Sequence, residues 1–250
     1  MYSDSHSHIN GYTESQLAVV MEEARAKGVG MVVGVGSNLE ASMITIRISR
    51  LVPGLIPAVG VHPWWATPLD EEALAQLRQL ATQKEVAAIG EVGIDLEREP
   101  STRDLQWQIF RQQVALAQEL HLPLILHCRG DRDEVLDLLR SQAAVRGVLH
   151  GFGGDQAEAQ AWLDLGLYIG IGLRGFTRSH PPAFEQAVRA IPLDRMLLET
   201  DSSARSYTSE EGLHPARVLD VAQAVARLHG TTAEEVGRLT TNNLKSLLGR

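Results

Sequence analysis

"PLILHCRGDRDEVLDLLRSQ", residues 123–142, sets one short apolar run ahead of one amphipathic stretch. The run at 124–127 is continuous, as expected for a parallel strand covered on both faces. It closes on a histidine, a Gly-Asp pair interrupts the chain, and DRDEVLDLLRSQ then mixes charges with leucine in a helical pattern. Strand, turn and helix make one β/α unit. A metal-capable side chain, His127, stands where its strand ends.

The same unit recurs along the chain. Further short apolar runs lie at 1–5, 31–35, 56–61, 87–91, 148–150, 168–171 and 196–198, each bounded by Gly, Pro or a polar residue. Helical patterns fall between them. TESQLAVVMEEARAKG, residues 13–28, opens with a Thr-x-x-Gln capping pattern and ends at Gly28. STRDLQWQIFRQQVALAQELHL, residues 101–122, carries Leu105, Ile109, Val114, Leu116 and Leu120 along one helix. Eight such units in 250 residues predict an α/β chain folded as a (β/α)8 TIM barrel, one domain spanning 1–250. A doubly wound open sheet is the alternative. Its nucleotide-cofactor form is disfavoured, because no glycine fingerprint follows the first strand and no Gly-Lys-Ser/Thr phosphate loop occurs.

The composition is 44% hydrophobic and 22% charged, with a formal net charge of −8. That balance argues against a protein gripping nucleic acid through a general basic field. It leaves room for contact made through bound cations, which supply their own positive charge. No apolar run approaches the ~20 residues that span a bilayer, and the N-terminus is too polar for a signal peptide. The one cysteine, Cys128, has no internal disulfide partner, so a cytoplasmic protein is expected. Nothing in the pattern calls for a membrane or an obligate protein partner.

The ionisable residues give this map its chemistry. His6 and His8 stand in SDSHSHING (3–11), Glu91 in AAIGEVGID (87–95), His150 in GVLHGFGG (147–154) and Asp201 in LLETDSS (197–203). With His127, six metal-capable side chains sit at C-terminal strand ends, the face where barrels build their sites. Any one alone reads as a capped histidine or a helix-capping carboxylate. Together they predict a metal centre. If the chain is extended through positions 6 and 8, its period of two aims both imidazoles one way. Four histidines and two carboxylates exceed one tetrahedral zinc with an open position and fit two metals sharing a bridging ligand. The lysines, Lys27, Lys84 and Lys245, all lie away from strand ends, so Glu91 rather than a carboxylated lysine is the expected bridge.

DSHSHI, GVHPWW, IGEVGID, PLILHCR, LHGF and LLETDS resemble, in content and in order, the motifs of the TatD family of metal-dependent deoxyribonucleases. The resemblance implies a TIM barrel with divalent metals, one held by His6, His8, Glu91 and Asp201 and a second by Glu91, His127 and His150. It implies cleavage of DNA phosphodiester bonds, as a 3'-5' exonuclease on single strands, with DNA as the transient partner. Glu91 and Asp201 are then the catalytic carboxylates, Asp201 orienting or deprotonating the attacking water. The ligand types admit Mg, Mn, Zn or Ni. The same site on an ester or amide, such as a D-aminoacyl-tRNA, is the alternative, and a non-catalytic binding protein a third.

Around this set lie candidate substrate contacts. His62 reads either as a phosphate or metal contact or as a capped structural histidine. Arg129, Arg132, Arg174 and Arg178 offer forked cations for phosphate, with surface ion pairing favoured for Arg132. Phe176, Trp64 and Trp65 offer rings for a base, or packing. Glu199 is placed to support the site, Cys128 to pack away from it, and His121 and His229 to serve ordinary helical roles. The segments LEREP (96–100), GFGG (151–154) and SSARSYTSEEGLHPARV (202–218) depart from common family patterns. They leave the metal set intact and bear on what reaches it.

Overall fold

Strand and helix alternate from one end of the chain to the other in the computed structural model, which describes residues 1–142, 145–177, 182–210 and 212–250. Arg178 lies outside these residues. The first half runs β1 (Tyr2–His8), α1 (Glu14–Ala26), β2 (Val29–Val35), α2 (Leu39–Ser49), β3 (Leu55–Val59), α3 (Glu71–Ala81), β4 (Ala88–Asp95) and α4 (Arg103–Glu119). Next come β5 (Leu124–Arg129), α5 (Arg132–Arg140), β6 (Gly147–Leu149), α6 (Gln156–Leu163), β7 (Tyr168–Gly172), α7 (Arg174–Thr177) and α8 (Pro182–Ala190). The chain closes with β8 (Met196–Glu199), β9 (Ser202–Ser203), α9 (Ala204–Thr208), α10 (Val218–His229) and α11 (Ala233–Leu248). Helix α1 starts as its sequence predicts: Thr13 Oγ1 accepts from Gln16 N at 3.2 Å, and Gln16 Oε1 accepts from Thr13 N at 3.0 Å.

Every strand pair among the described residues is parallel, in the order β8-β7-β6-β5-β4-β3-β2-β1-β9. β8 and β9 are separated only by Thr200 and Asp201, so both edges of the sheet belong to one stretch of chain. The sheet is therefore closed, a TIM barrel ringed by helices, and the open-sheet alternative falls. Asp201 takes the left-handed conformation, φ +49°, and its N–H donates to His6 O at 3.0 Å. That turn carries the chain from β8 onto β1.

Period-two alternation sorts the strand residues. Val33, Val35, Ile56, Ala58, Ala88, Ile125, Val148 and Leu197 form one buried cluster with Leu244, Leu247 and Leu248 of α11. Their neighbours Val32, Leu55, Leu124, Leu126, Leu149, Met196 and Leu198 pack in the larger cluster with the surrounding helices. The first set is the barrel interior, and α11 plugs its base, with Asn243 Nδ2 donating to Met196 O at 2.9 Å where β8 begins. Two residues beyond Ile125, Val148 and Leu197 on the inner file stand His127, His150 and Glu199.

The strands outrun their predicted ends where it matters. β1 continues to His8 because Ser7 pairs with Gly34 on one side and, with His8, against Ser202 and Ser203 on the other. β4 continues to Asp95 alongside β5, with a register shift between Ile89 and Val92 that contains Glu91. Gly93 permits that approach, since a Cβ there would fall 1.8 Å from the His127 carbonyl oxygen.

The closure is latched by Asp4, which is fully buried. Its Oδ1 accepts from Thr200 N at 3.0 Å and His6 N at 3.2 Å, and its Oδ2 pairs with Thr200 Oγ1 at 2.6 Å. Asp4→Ala strands buried donors and is expected to cost about 3 kcal/mol in urea melts. Asp4→Asn keeps Oδ1 as an acceptor for the two backbone N–H groups and puts an Nδ2 donor against the Thr200 hydroxyl, so it retains most of the stability. Burial, only partly offset by these bonds, pushes the carboxyl up to about 7. An unfolded aspartate titrates near ~3.9, so this contribution is full below that pH and is lost as pH rises through about 7. Urea melts of Asp4→Asn at pH 5 and 8 should lack that decline.

Candidate metal centre

Glu91 lies at the middle of the barrel mouth, 1% exposed, and its two oxygens face different partners. Oε2 is 3.3 Å from His6 Nε2 and 3.4 Å from His8 Nε2. Oε1 is 2.9 Å from His127 Nδ1, 3.3 Å from His62 Nε2 and 3.5 Å from His150 Nε2. Asp201 joins the first side, with Oδ1 3.5 Å from His8 Nε2 and 3.9 Å from His6 Nε2. All six expected metal-capable residues are thus brought together. His6 and His8 do present their rings to one side, with Nε2 atoms 3.4 Å apart.

The histidines are oriented from behind by carboxylates. Asp95 Oδ2 lies 2.9 Å from His127 Nε2, and Glu199 Oε1 lies 2.9 Å from His150 Nδ1. Asp95 bonds the far nitrogen of His127 and leaves Nδ1 facing Glu91, the arrangement that raises ligand basicity in histidine metal sites, and Glu199 sets its charge beside the far nitrogen of His150. Asp95 is itself fixed: Oδ2 accepts from Trp64 Nε1 at 2.6 Å, Oδ1 from Arg98 N at 3.0 Å, and its backbone N–H donates to Gln106 Oε1 at 2.8 Å. Sequence reasoning missed Asp95, because ending the fourth strand at Glu91 hid that residues 91, 93 and 95 share a face. Glu199 lies beside His150, where the sequence placed it for support.

The electrostatics follow. Burial alone would raise Glu91, but His62, His6, His150 and the His127 bond hold it well below the usual carboxylate range. Asp201 is depressed likewise, burial being outweighed by the His8 bond and the charges of His150 and His6. Burial pushes His6 and His62 down, partly offset by Glu91. It is outweighed at His150, which Glu199 and Glu91 push up to about 9, and at His127, raised by Asp95 and Glu91.

These donors fit divalent cations. His6, His8 and Asp201 converge within 4.8 Å, as do His62, Glu91 and His127, and His6, His150 and Glu199. Glu91 Oε2 is buried yet makes no hydrogen bond, the state of a ligand oxygen rather than a structural one. His62 differs. Its Nδ1 accepts from Trp64 N at 3.0 Å, so a neutral ring carries its proton on Nε2 and donates to Glu91 instead of ligating.

The expected substrate contacts divide. Two confluent cavities of about 600 and 810 Å³ open on the cluster, and Trp64, Arg98, His127, His150, Arg174 and Asp201 line both. Arg174 ion-pairs with Asp201. Arg129 lines the smaller cavity but donates to Gly151 O at 2.7 Å and Cys128 O at 3.1 Å. Phe176 is not brought to either cavity's lining; its ring meets Phe184 edge-on at 5.3 Å, because the apolar layer beneath α8 receives it. Trp64 and Trp65 are both exposed at the mouth, and Arg132 pairs with Asp133 at 3.0 Å on the surface. Cys128 packs against the apolar layer as expected.

Since His150 is pushed up to about 9 and His127 is raised too, cation binding should release protons and weaken as pH falls. Calorimetry in buffers of different ionisation heat reads that release directly. Glu199→Gln should weaken binding about 10–100-fold. Gly170→Ala should act in the same direction without touching a donor, because its Cβ would fall 2.3 Å from Glu199 Oε2.

Known proteins resemble this chain along nearly its whole length. A family model described as TatD related DNase matches residues 3–249. The metal-dependent hydrolase YabD of Bacillus subtilis (strain 168) is 32% identical over 99% of this chain and 98% of its own. The 3'-5' ssDNA/RNA exonuclease TatD of Klebsiella pneumoniae (strain 342) is 33% identical, over 92% of this chain and 90% of its own. Among solved structures, YJJV, a TatD homologue from Escherichia coli K12, superposes with a TM-score of 0.88 at 25% identity, covering 100% of this chain and 98% of that one. With the closed barrel and the histidine–carboxylate cluster at its mouth, the chain belongs to the TatD-related DNase family of metal-dependent hydrolases.

Proposed function

We propose that residues 1–250 form one catalytic barrel domain that hydrolyses phosphodiester bonds of DNA, removing nucleotides from the 3' end of single strands. The observation that carries this reading is the two-sided environment of Glu91, with His6 and His8 on Oε2 and His127 and His150 on Oε1. His6, His8, Glu91 and Asp201 would hold one divalent ion, and Glu91, His127 and His150 would hold a second. Divalent ions bound there would supply a water made acidic near neutral pH and positive charge for a phosphodiester oxygen. The mixed imidazole and carboxylate donors suit Mn, Zn, Ni or Mg.

The chain's own residues supply the rest. Asp201 stays ionised, so its oxygens can order a water and accept its proton. Arg174, on Asp201 Oδ2, stands where it can also meet a phosphate oxygen. His62 donates toward Glu91 and fixes the carboxylate's plane. The nucleic-acid substrate is supported by the arginines and tryptophans of the cleft and by the named activity of the Klebsiella relative.

A 5'-labelled single-stranded oligonucleotide, incubated with each ion in turn, should shorten stepwise from its 3' end. Asp201→Ala should lower kcat/KM by about 10³-fold or more, the scale of losing a group that stabilises the transition state. An intact oligonucleotide beside cleaved nitrophenyl esters or D-aminoacyl-tRNA would favour the ester reading of the same site.

A further inference from the structure

Four arginines line the two cavities at the metal-capable cluster, Arg98, Arg129, Arg174 and Arg205, and two are engaged beside it: Arg174 by Asp201, Arg129 by two backbone carbonyls. Arg98 differs. It is exposed, lines both cavities, and pairs with no carboxylate among the described residues. Its guanidinium carbon lies 3.9 Å from the centroid of the Trp64 ring. Trp64 cannot easily swing, because Nε1 donates to Asp95 Oδ2 at 2.6 Å. The backbone at Arg98 is tied to the same carboxylate through N–H···Oδ1 at 3.0 Å.

A guanidinium over an indole ring can keep N–H donors free on the side away from the ring. That side carries the forked donors that match phosphate oxygens. Holding the side chain in place beforehand removes part of the entropy an arginine otherwise loses on binding. In a chain of net charge −8, such a local cation is what a polyanion can find beside the reaction centre. Arg205 also lines the larger cavity, without a comparable ring beneath it among the described contacts.

We propose that Arg98, braced on Trp64, holds a backbone phosphate adjacent to the one being hydrolysed and so makes the site prefer nucleic-acid chains over small diesters. This rests on the phosphodiesterase reading above. It assigns Arg98 a substrate-positioning role and Trp64 the role of its support.

The test compares wild type, Arg98→Gln and Arg98→Lys on a labelled single-stranded oligonucleotide and on bis(p-nitrophenyl) phosphate, across a salt titration. Anisotropy of the same oligonucleotide with EDTA present, where nothing turns over, reads binding alone. Arg98→Gln should raise KM and Kd for the oligonucleotide about 10-fold, the scale of one charge-assisted hydrogen bond. Its kcat should stay within about 2-fold and its rate on the small diester should not change. The slope of log affinity against log salt should shrink by about 0.7, the share of one single-strand phosphate contact. Arg98→Lys should restore that slope while recovering only part of the affinity. Unchanged KM, Kd and slope in Arg98→Gln would overturn the assignment, as would an equal loss on both substrates. A wild type that cleaves the small diester and ignores the oligonucleotide would overturn it too. One that cleaves neither and binds no oligonucleotide would remove the phosphodiesterase reading itself, and this inference with it.

Discussion

One buried carboxylate organises the barrel mouth. Glu91 carries its charge to a place nearly sealed from water, where an isolated anion is strongly disfavoured. Imidazoles from four other parts of the barrel turn toward it, and they hold it ionised against the burial that would protonate it. Five histidine nitrogens lie within 3.5 Å of its two oxygens. The strand carrying it gives up regular pairing with its neighbour at that position.

An arrangement of this kind needs a second layer, because histidines crowded around a charge must each be told which nitrogen to present. Asp95 and Glu199 give that instruction from the inner ends of β4 and β8. Asp4 performs a different task, tying β1 to the end of β8 so that His6, His8 and Asp201 share one seam. Asp201 adopts a left-handed backbone at that seam, a conformation aspartate tolerates better than most residues but at some cost. The strained turn and the unbonded Glu91 oxygen occur together, where chemistry and not packing sets the design.

Much of this was legible before any coordinates. Short apolar runs alternating with amphipathic helices announced the barrel, and histidines and carboxylates at strand ends announced the centre, because parallel strands all deliver their last residues to one face. What stayed hidden depended on where strands stop. Ending the first strand at residue 5 and the fourth at 91 left His6, His8 and Asp95 in loops, although pairing with neighbours on both sides carries those strands further. Asp95 therefore escaped notice, and with it the meaning of Trp64 and Arg98. Phe176 was read from its basic surroundings, whereas its ring obeys the apolar layer under α8. Tertiary packing decides such a side chain, and local composition does not reveal it.

The central claim is that Glu91 stands between two cations rather than beside one. Metal content after loading and gel filtration, measured for wild type and Glu91→Ala at equal protein concentration, tests this most directly. Two divalent ions per wild-type chain, falling to one or none in Glu91→Ala with the fold retained by circular dichroism, is the predicted result. A wild type that never exceeds one ion, or a Glu91→Ala protein that keeps two, would contradict it.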